Sequence, residues 1–217
     1  MVILTKKKVR IKMRLPKHIG IIPDGNRRWA SGHGLNKEDG YAYGLDPGLQ
    51  LLKKLQSYGV AEITYYGFTM DNCKRPHQQV TSFQQACIQA VKMISTEDIS
   101  LLVFGNHKSN CFPRELLSYT TRNESDGKKI KVNFLVNYGW EWDIAGINEN
   151  GKLRSAAISR VDLIIRWGGM RRLSGFLPIQ SVYADFYIID AMWPEYQDTH
   201  LTEALAWYDR QDITLGG

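Results

Sequence analysis

The stretch His18-Ile19-Gly20-Ile21-Ile22-Pro23-Asp24-Gly25-Asn26-Arg27-Arg28-Trp29-Ala30 decides the fold. Its apolar run, Ile19 to Ile22, stops at Pro23-Asp24-Gly25-Asn26, and Arg27-Arg28-Trp29 then open a helix. A strand thus turns into a helix N-terminus at a carboxylate, a permissive glycine and two guanidiniums. Unpaired backbone N–H groups at such a terminus favour anions. Asp24 is placed to hold a divalent cation while Arg28 and the N–H groups carry the opposite charge, which suits a diphosphate. No Gly-Lys-Ser/Thr follows, so this is not a Walker A loop. Taken alone, the stretch reads equally well as a tight Asp-Gly turn with solvated arginines.

Working outward, strands and helices alternate. Residues 31–43, rich in Gly and polar side chains, read as a loop or lid. Asp46-Pro47 is a helix start, with Leu45, Leu49, Leu52 and Leu55 at helical spacing and Gly59 as its stop. Residues 62–68 read as a second strand. Pro76 opens a longer helix with Val80, Phe83, Cys87, Ala90 and Ile94 on one face. Further strands are expected at 100–104, 130–137, 161–166 and 184–190. A short helix is expected at 114–120 and a last one capped by Thr199. Near-continuous apolar strands separated by helices predict an α/β fold: a single domain with a mostly parallel six-stranded sheet flanked by helices.

Ligands of such sheets sit at the carboxyl ends of the strands. The polar punctuation falls there: Asp24 after the first strand, Thr69 to Arg75 after the second, Asn137-Tyr138 after the fourth, Arg166 to Ser174 after the fifth. Asn72 and Arg75 are placed to reach a ligand from a loop, though a capped, solvated loop fits them equally. Arg166, Arg171 and Arg172 flank the Gly168-Gly169 pair, with Ser174 following. Guanidinium forks bind phosphate oxygens in bidentate fashion, so an anion pocket is favoured here over a solvated basic loop. Asp185 lies in an otherwise apolar strand, where a carboxylate is paired, metal-bound or on the solvated face of an edge strand.

The 217 residues are 43% hydrophobic and 23% charged, the profile of a soluble globular domain with a real core. The net charge of +6 is unevenly placed. Lys6, Lys7, Lys8, Arg10, Lys12, Arg14 and Lys17 precede the first acid, and the rest of the chain holds 21 basic and 22 acidic side chains. Residues 1–17 therefore read as a basic tail and 18–217 as one folded domain. No nucleic-acid partner is expected, and at most peripheral membrane contact. Residues 1–4 are too short for a signal-peptide core, and no run approaches the ~18 apolar residues of a spanning helix. Cys73, Cys87 and Cys111 lack CxxC spacing. They fit a reducing, cytoplasmic setting and give no sign of zinc.

In order, these clusters closely resemble the cis-prenyltransferase family of the undecaprenyl diphosphate synthase type. Residues 18–30 match its His-x-x-x-x-x-Asp-Gly-Asn-x-Arg-Trp/Tyr-Ala motif, and 68–76 its Phe-Ser/Thr-x-Glu/Asp-Asn-x-x-Arg-Pro loop. Residues 137–144 match Asn-Tyr-Gly-x-x-x-Asp-Ile, and 166–176 match Arg-x-Gly-Gly-x-x-Arg-x-Ser-x-Phe. Gln180 to Tyr187 and Trp193-Pro194 match the segments that follow.

The resemblance implies a Mg²⁺-dependent enzyme that condenses isopentenyl diphosphate with an allylic prenyl diphosphate to give a Z-prenyl diphosphate. It implies catalytic roles for Asp24 and Asn72, and a Mg²⁺ site from Asp24 and Asp185, the latter standing where the family usually has Glu. It implies that Gly25, Asn26, Arg27, Arg28 and Trp29 surround the allylic diphosphate. Arg166, Arg172 and Ser174 would hold the diphosphate of isopentenyl diphosphate, while Thr69 and Arg75 line the reaction centre. The product would grow into an apolar tunnel beside the 80–94 helix. A homodimer is implied, with a heteromer as the alternative.

Several positions depart from the family pattern. Its Gly-His-x-x-Gly stands here as Gly40-Tyr41-Ala42-Tyr43-Gly44, its aromatic before Arg-Pro as Cys73, and its acid after Gly-Gly as Met170. Residues 214–217 read Thr-Leu-Gly-Gly where the homodimers carry Arg-x-Gly. Two alternatives to ordinary elongation follow. One is a short-chain, irregular or cyclising terpenoid synthase of the same family; the other is a subunit of a heteromeric prenyltransferase.

Overall fold

The structure, a computed structural model, describes residues 13–122 and 130–212. Six strands form one sheet: β1 (His18–Ile22), β2 (Glu62–Thr69), β3 (Ile99–Phe104), β4 (Ile130–Tyr138), β5 (Leu163–Arg166) and β6 (Asp185–Ile188). All their pairings are parallel, in the order β3-β4-β2-β1-β5-β6. The helices are α1 (Asn26–Gly32), α2 (Leu45–Tyr58), α3 (His77–Ile94), α4 (Trp140–Ile144) and α5 (Asp198–Asp209).

From β1 to β5 both faces of the sheet are largely buried, which is why these strands read as continuous apolar runs, while β6 at the edge is half-buried. On one face Ile19, Ile21, Ile63, Leu163 and Ile165 pack under α2, α3 and α5, through Leu51, Leu55, Val91, Leu201 and Leu205. On the other, Ile22, Tyr66, Leu135 and Ile164 meet Ile158, Val161, Phe176 and Leu177. That second layer is mostly irregular chain between α4 and β6. It packs closely: a Cβ on Gly20 would stand 2.5 Å from the Phe176 ring, so only glycine lets that ring lie on β1.

Chain order places the site. From β1 the chain moves one way, to β2; β5 later pairs on the other side of β1. A crevice opens at such a reversal, outside the carboxyl ends of the flanking strands. The segments after β1, β2 and β5 are the three that carry Asp24, Thr69–Arg75 and Arg166–Ser174.

Several local expectations are corrected. The presumed loop at 31–43 holds the end of α1 and a 3-10 turn, Asp39–Gly44, that runs directly into α2. Asp46 therefore has no free helix terminus to cap; α2 begins at Leu45 after Gly44 in right-handed helical geometry. The segment after Pro113 is a 3-10 turn, Arg114–Tyr119. The last helix starts at Asp198, with Gln197 rather than Thr199 in the capping position. The basic tail is shorter than expected. The Arg14 N–H donates to Asp209 Oδ1 at 2.6 Å, and its guanidinium lies 4.1 Å over the Tyr208 ring. Met13 and Leu15 pack against the core, so the fold is already under way before His18. Lys6, Lys7, Lys8, Arg10, Lys12 and residues 214–217 lie outside the described residues. Among the described residues no helix is long and apolar enough to cross a membrane.

Candidate active site

A cavity of about 690 Å³ occupies the crevice. Arg27, Arg28, Lys37, Arg75, Arg166 and Arg172 line it, against two carboxylates, Asp24 and Asp71. Asp71 turns outward, ion-paired with Lys74 at 2.6 Å. Asp24 is thus the carboxylate at the centre of a strongly cationic space.

The turn after β1 sets Asp24. Its Oδ1 accepts from the Gly25 N–H at 2.6 Å. Gly25 has φ +107°, and a Cβ there would meet the Met192 side chain at 2.9 Å, so the turn needs glycine for both reasons. Arg166, at the end of β5 and buried, donates from Nη2 to Asp24 Oδ2 at 2.7 Å. Its Nη1 donates to Ser174 Oγ at 2.9 Å and to the Arg172 carbonyl. Its Nε has no protein partner and is buried. Arg166 is therefore the post that ties the β1 turn to the loop after β5. Ser174 is held at φ +52°, a conformation uncommon for a residue with a side chain. Its own carbonyl accepts from the Tyr66 hydroxyl at 2.9 Å.

Arg28 stands one helical turn beyond Asp24, 3.6 Å from its carboxylate, and donates to the Gly168 carbonyl at 2.9 Å. Arg27 donates to Gln79 Oε1 on α3. Asn26 uses Nδ2 on the Pro23 carbonyl, and its Oδ1 is buried without a protein partner. After β2, Thr69 and Asn72 form a reciprocal cap: Asn72 N–H to Thr69 Oγ1 at 3.2 Å, Thr69 N–H to Asn72 Oδ1 at 3.0 Å. That spends the Asn72 carbonyl oxygen and leaves its Nδ2 as the donor for a ligand. Arg75 donates to the Tyr41 hydroxyl at 3.0 Å. Burial lowers the Arg75 pKa, and burial raises that of Tyr41, each partly offset by the other.

The expected residues converge, with two exceptions. Trp29 is not in the cavity. Arg27, Arg28 and Ser31 share the inward face of α1, whereas Trp29 points around the helix and stacks on His33 at 4.2 Å, its i+4 neighbour. Asp185 is also absent. It opens β6 opposite Leu163, three strand residues, or about 10 Å, short of the strand ends that hold Arg166. The expected Asp24–Asp185 metal pair is not formed within one chain. Among the described residues no three His, Cys, Asp or Glu side chains cluster as a metal site.

Sequence reasoning missed Tyr41, Lys37, Tyr66 and Phe83, which also line the cavity. Tyr41 sat inside the Gly40–Gly44 segment and registered only as a missing imidazole. The cysteines need correction too: Cys73, between Asn72 and Arg75, forms a disulfide with Cys111. Only Cys87 is a free thiol among the described residues, and burial pushes its pKa up to about 12.

Residues 22–216 match the model of the Prenyltransf (undecaprenyl diphosphate synthase) family. The ditrans,polycis-undecaprenyl-diphosphate synthase ((2E,6E)-farnesyl-diphosphate specific) of Aliivibrio fischeri is 29% identical, covering 93% of this chain and 89% of that protein. Its namesake from Blochmanniella floridana is 30% identical, covering 93% and 91%. In fold the chain is similar to lavandulyl diphosphate synthase from Lavandula x intermedia, solved with dimethylallyl diphosphate. There the TM-score is 0.78 at 24% identity, covering 94% of this chain and 99% of that one. Family match, parallel sheet and cationic crevice agree: the chain belongs to the undecaprenyl diphosphate synthase family and is a prenyltransferase of the cis-prenyltransferase fold.

Proposed function

We propose that the chain joins an allylic prenyl diphosphate to isopentenyl diphosphate. In that reaction the allylic C–O bond breaks, its carbon bonds to the terminal alkene carbon, inorganic diphosphate leaves, and a proton is lost to give a Z double bond. The observation that carries the reading is the charge balance of the crevice: six cationic side chains converge on one inward carboxylate. Two diphosphates supply the missing negative charge, and about 690 Å³ has room for both heads.

Arg27, Arg28 and the α1 N–H groups serve the allylic diphosphate. Their fixed positive charge is aimed where negative charge grows as the C–O bond breaks. Arg172 and Ser174 serve isopentenyl diphosphate, with Arg166 behind them as the buried post. Holding both substrates against one wall turns a bimolecular encounter into an oriented one. Asn72 Nδ2 and Arg75 border the space between the two heads.

Mg²⁺ is bound by one or two carboxylates together with substrate phosphates, and the partly exposed carboxylate of Asp24 inside a diphosphate-sized cavity fits that donor set. When bound there, Mg²⁺ supplies neutralisation of the departing diphosphate. We assign a homodimer built on the β6 edge, where Ile179, Val182 and Tyr183 are 52, 63 and 55% exposed beside the outermost strand of the sheet.

The test incubates purified protein with isopentenyl diphosphate and allylic diphosphates of increasing length, with Mg²⁺ or with a chelator. Products are identified by mass spectrometry and subunit mass by light scattering. Z-prenyl diphosphates formed only with Mg²⁺ by a dimer are the expected result. Turnover insensitive to chelation overturns the metal assignment. Turnover that appears only with a second, different chain overturns the homodimer.

A further inference from the structure

One wall of the crevice is fastened covalently. The turn Met70–Lys74 after β2 carries Asn72 and, one residue past its end, Arg75, and both line the cavity. None of the turn's residues is buried. Its own hydrogen bonds are short-range: Thr69 and Asn72 cap each other, and the Arg75 N–H donates to the Asn72 carbonyl at 3.1 Å. Such bonds shape the turn without attaching it to its surroundings. Attachment comes from Met70 beside Gly139, from the Arg75–Tyr41 hydrogen bond, and from the disulfide between Cys73 and Cys111.

Cys73 sits between Asn72 and Arg75, so the bridge grips the turn at its middle. The Cys111 side is the anchored one. Its carbonyl accepts from Gln84 Nε2 of α3 at 2.7 Å, its N–H donates to Ser109 Oγ at 3.1 Å, and its neighbour Phe112 is buried in the core. In the sheet β4 lies between β2 and β3, so the bridge crosses beyond the end of β4. There Cys73 Sγ stands 3.3 Å from Asn137 Oδ1, an oxygen that can accept from a Cys73 thiol once the bridge is open. Both cysteines are partly exposed, within reach of a small reductant.

We propose that the Cys73–Cys111 disulfide positions Asn72 and Arg75 at the reaction centre, so that turnover depends on the redox state of the bridge. This rests on the prenyltransferase reading above, in which these two side chains border the space between the diphosphate heads. Opening takes a dithiol reductant. One of its thiolates attacks a bridge sulfur, forming a mixed disulfide and releasing the other cysteine; its second thiol then displaces the first cysteine. The protein gains two electrons and two protons, and the reductant leaves as a cyclic disulfide. The turn then keeps its local hydrogen bonds but not its covalent anchor. A displacement of about 1 Å at a reacting centre costs up to about 100-fold in rate.

The full chain is compared after incubation with oxidised glutathione and after treatment with dithiothreitol. Alkylation in denaturant, read by mass, should add one group to the bridged protein, at Cys87, and three to the reduced one. On reduction kcat per folded molecule should fall about tenfold, and reoxidation should restore it. KM for isopentenyl diphosphate, assigned to Arg172 and Ser174, should change less than about twofold. Cys111→Ser, outside the crevice, should show the low kcat and ignore the reductant. Arg75→Ala should cost less in the Cys111→Ser background than in wild type. The Asn72 and Arg75 amides should exchange hydrogen faster once the bridge is open. A bridge that only stabilised the fold would lower the melting temperature and leave kcat alone. Three alkylated thiols after oxidised glutathione, equal kcat in the two states, or equal cost of Arg75→Ala with and without the bridge each overturns the proposal. Absence of turnover in both states, with no binding of inorganic diphosphate, overturns the reading of the crevice instead; amide exchange at Asn72 and Arg75 then still decides whether the bridge orders the turn.

Discussion

The two ends of the sheet hold polar clusters built on opposite principles. At the amino ends of β1, β2 and β4 lies a sealed network. His18 Nε2 is 2.8 Å from Thr64 Oγ1, and Asn133 Nδ2 donates to Thr64 Oγ1 at 2.9 Å and to Glu62 Oε1 at 2.7 Å. Ser159 Oγ donates to Glu62 Oε2 at 2.6 Å, and Arg122 donates to Asn133 Oδ1. Nearly every donor there meets an acceptor, and Glu62 balances Arg122. At the carboxyl ends, cations outnumber inward carboxylates and Arg166 Nε and Asn26 Oδ1 are buried without protein partners. A buried cluster that is complete contributes to stability; one left incomplete beside a cationic cavity has donors and acceptors to spare for water, an ion or a ligand. Removing a carboxylate should therefore damage different properties at the two ends.

The largest effect is expected at the incomplete end. Asp24→Asn removes the charge and keeps a single acceptor oxygen, for either Arg166 Nη2 or the Gly25 N–H. Turnover should fall about 10³-fold, the scale of losing one preorganised electrostatic group. The melting temperature should fall by less than in the Glu62 variant, since Asp24 is partly exposed. Wild-type turnover would break the contrast. Next, Glu62→Ala should cost about 3 kcal/mol of stability in denaturant titrations, because it strands the Ser159 hydroxyl, removes one acceptor of Asn133 and takes the opposite charge away from Arg122. Its turnover per folded molecule should stay at the wild-type level, since no atom of Glu62 reaches the crevice. Third, Arg172→Ala should raise KM for isopentenyl diphosphate about 30-fold, or roughly 2 kcal/mol, the worth of one charge-assisted contact to a phosphate. Its kcat should fall much less, and an unchanged KM would remove Arg172 from the site.

The same contrast explains what the sequence disclosed. The strands were legible because burial on both faces demands apolar runs, as at Ile19–Ile22 and Leu163–Ile165. The crevice was legible because Asp24, Asn72, Arg75, Arg166 and Ser174 all lie at, or in the segment just after, the carboxyl end of a strand, so one-dimensional order already places them together. Asp185 misled because a residue inside a strand sits at a depth set by register. β6 begins at Asp185 and pairs it with Leu163, not with Arg166. Trp29 misled because adjacent helical positions point about 100° apart. The Tyr41–Phe83 ring stack and the Cys73–Cys111 bridge join residues 42 and 38 positions apart, and neither leaves a periodic trace.

The smallest effect tests the sealed end by pH. Burial lowers the His18 pKa, and Glu62, the Arg160 and Ser159 carbonyls and Asp162 restore only part of it. The folded state therefore binds this proton less readily than the unfolded chain, whose histidine titrates near 6.5. As pH falls below 6.5 the unfolded state takes up the proton first, and stability declines until the folded pKa is passed. The slope cannot exceed about 1.4 kcal/mol per pH unit for one proton. Glu62 is also held below its ordinary value: burial pushes it up, but His18, Ser159 and Asn133 outweigh that. Its stabilisation is thus fully present above about 4.5 and is lost only at lower pH. Between pH 7 and 5 the histidine should act without it. Denaturant titrations across that window should give a slope in wild type that His18→Gln flattens. An equal slope in both proteins would mean that another group carries the proton, and that the network at the amino ends is less sealed than its hydrogen bonds imply.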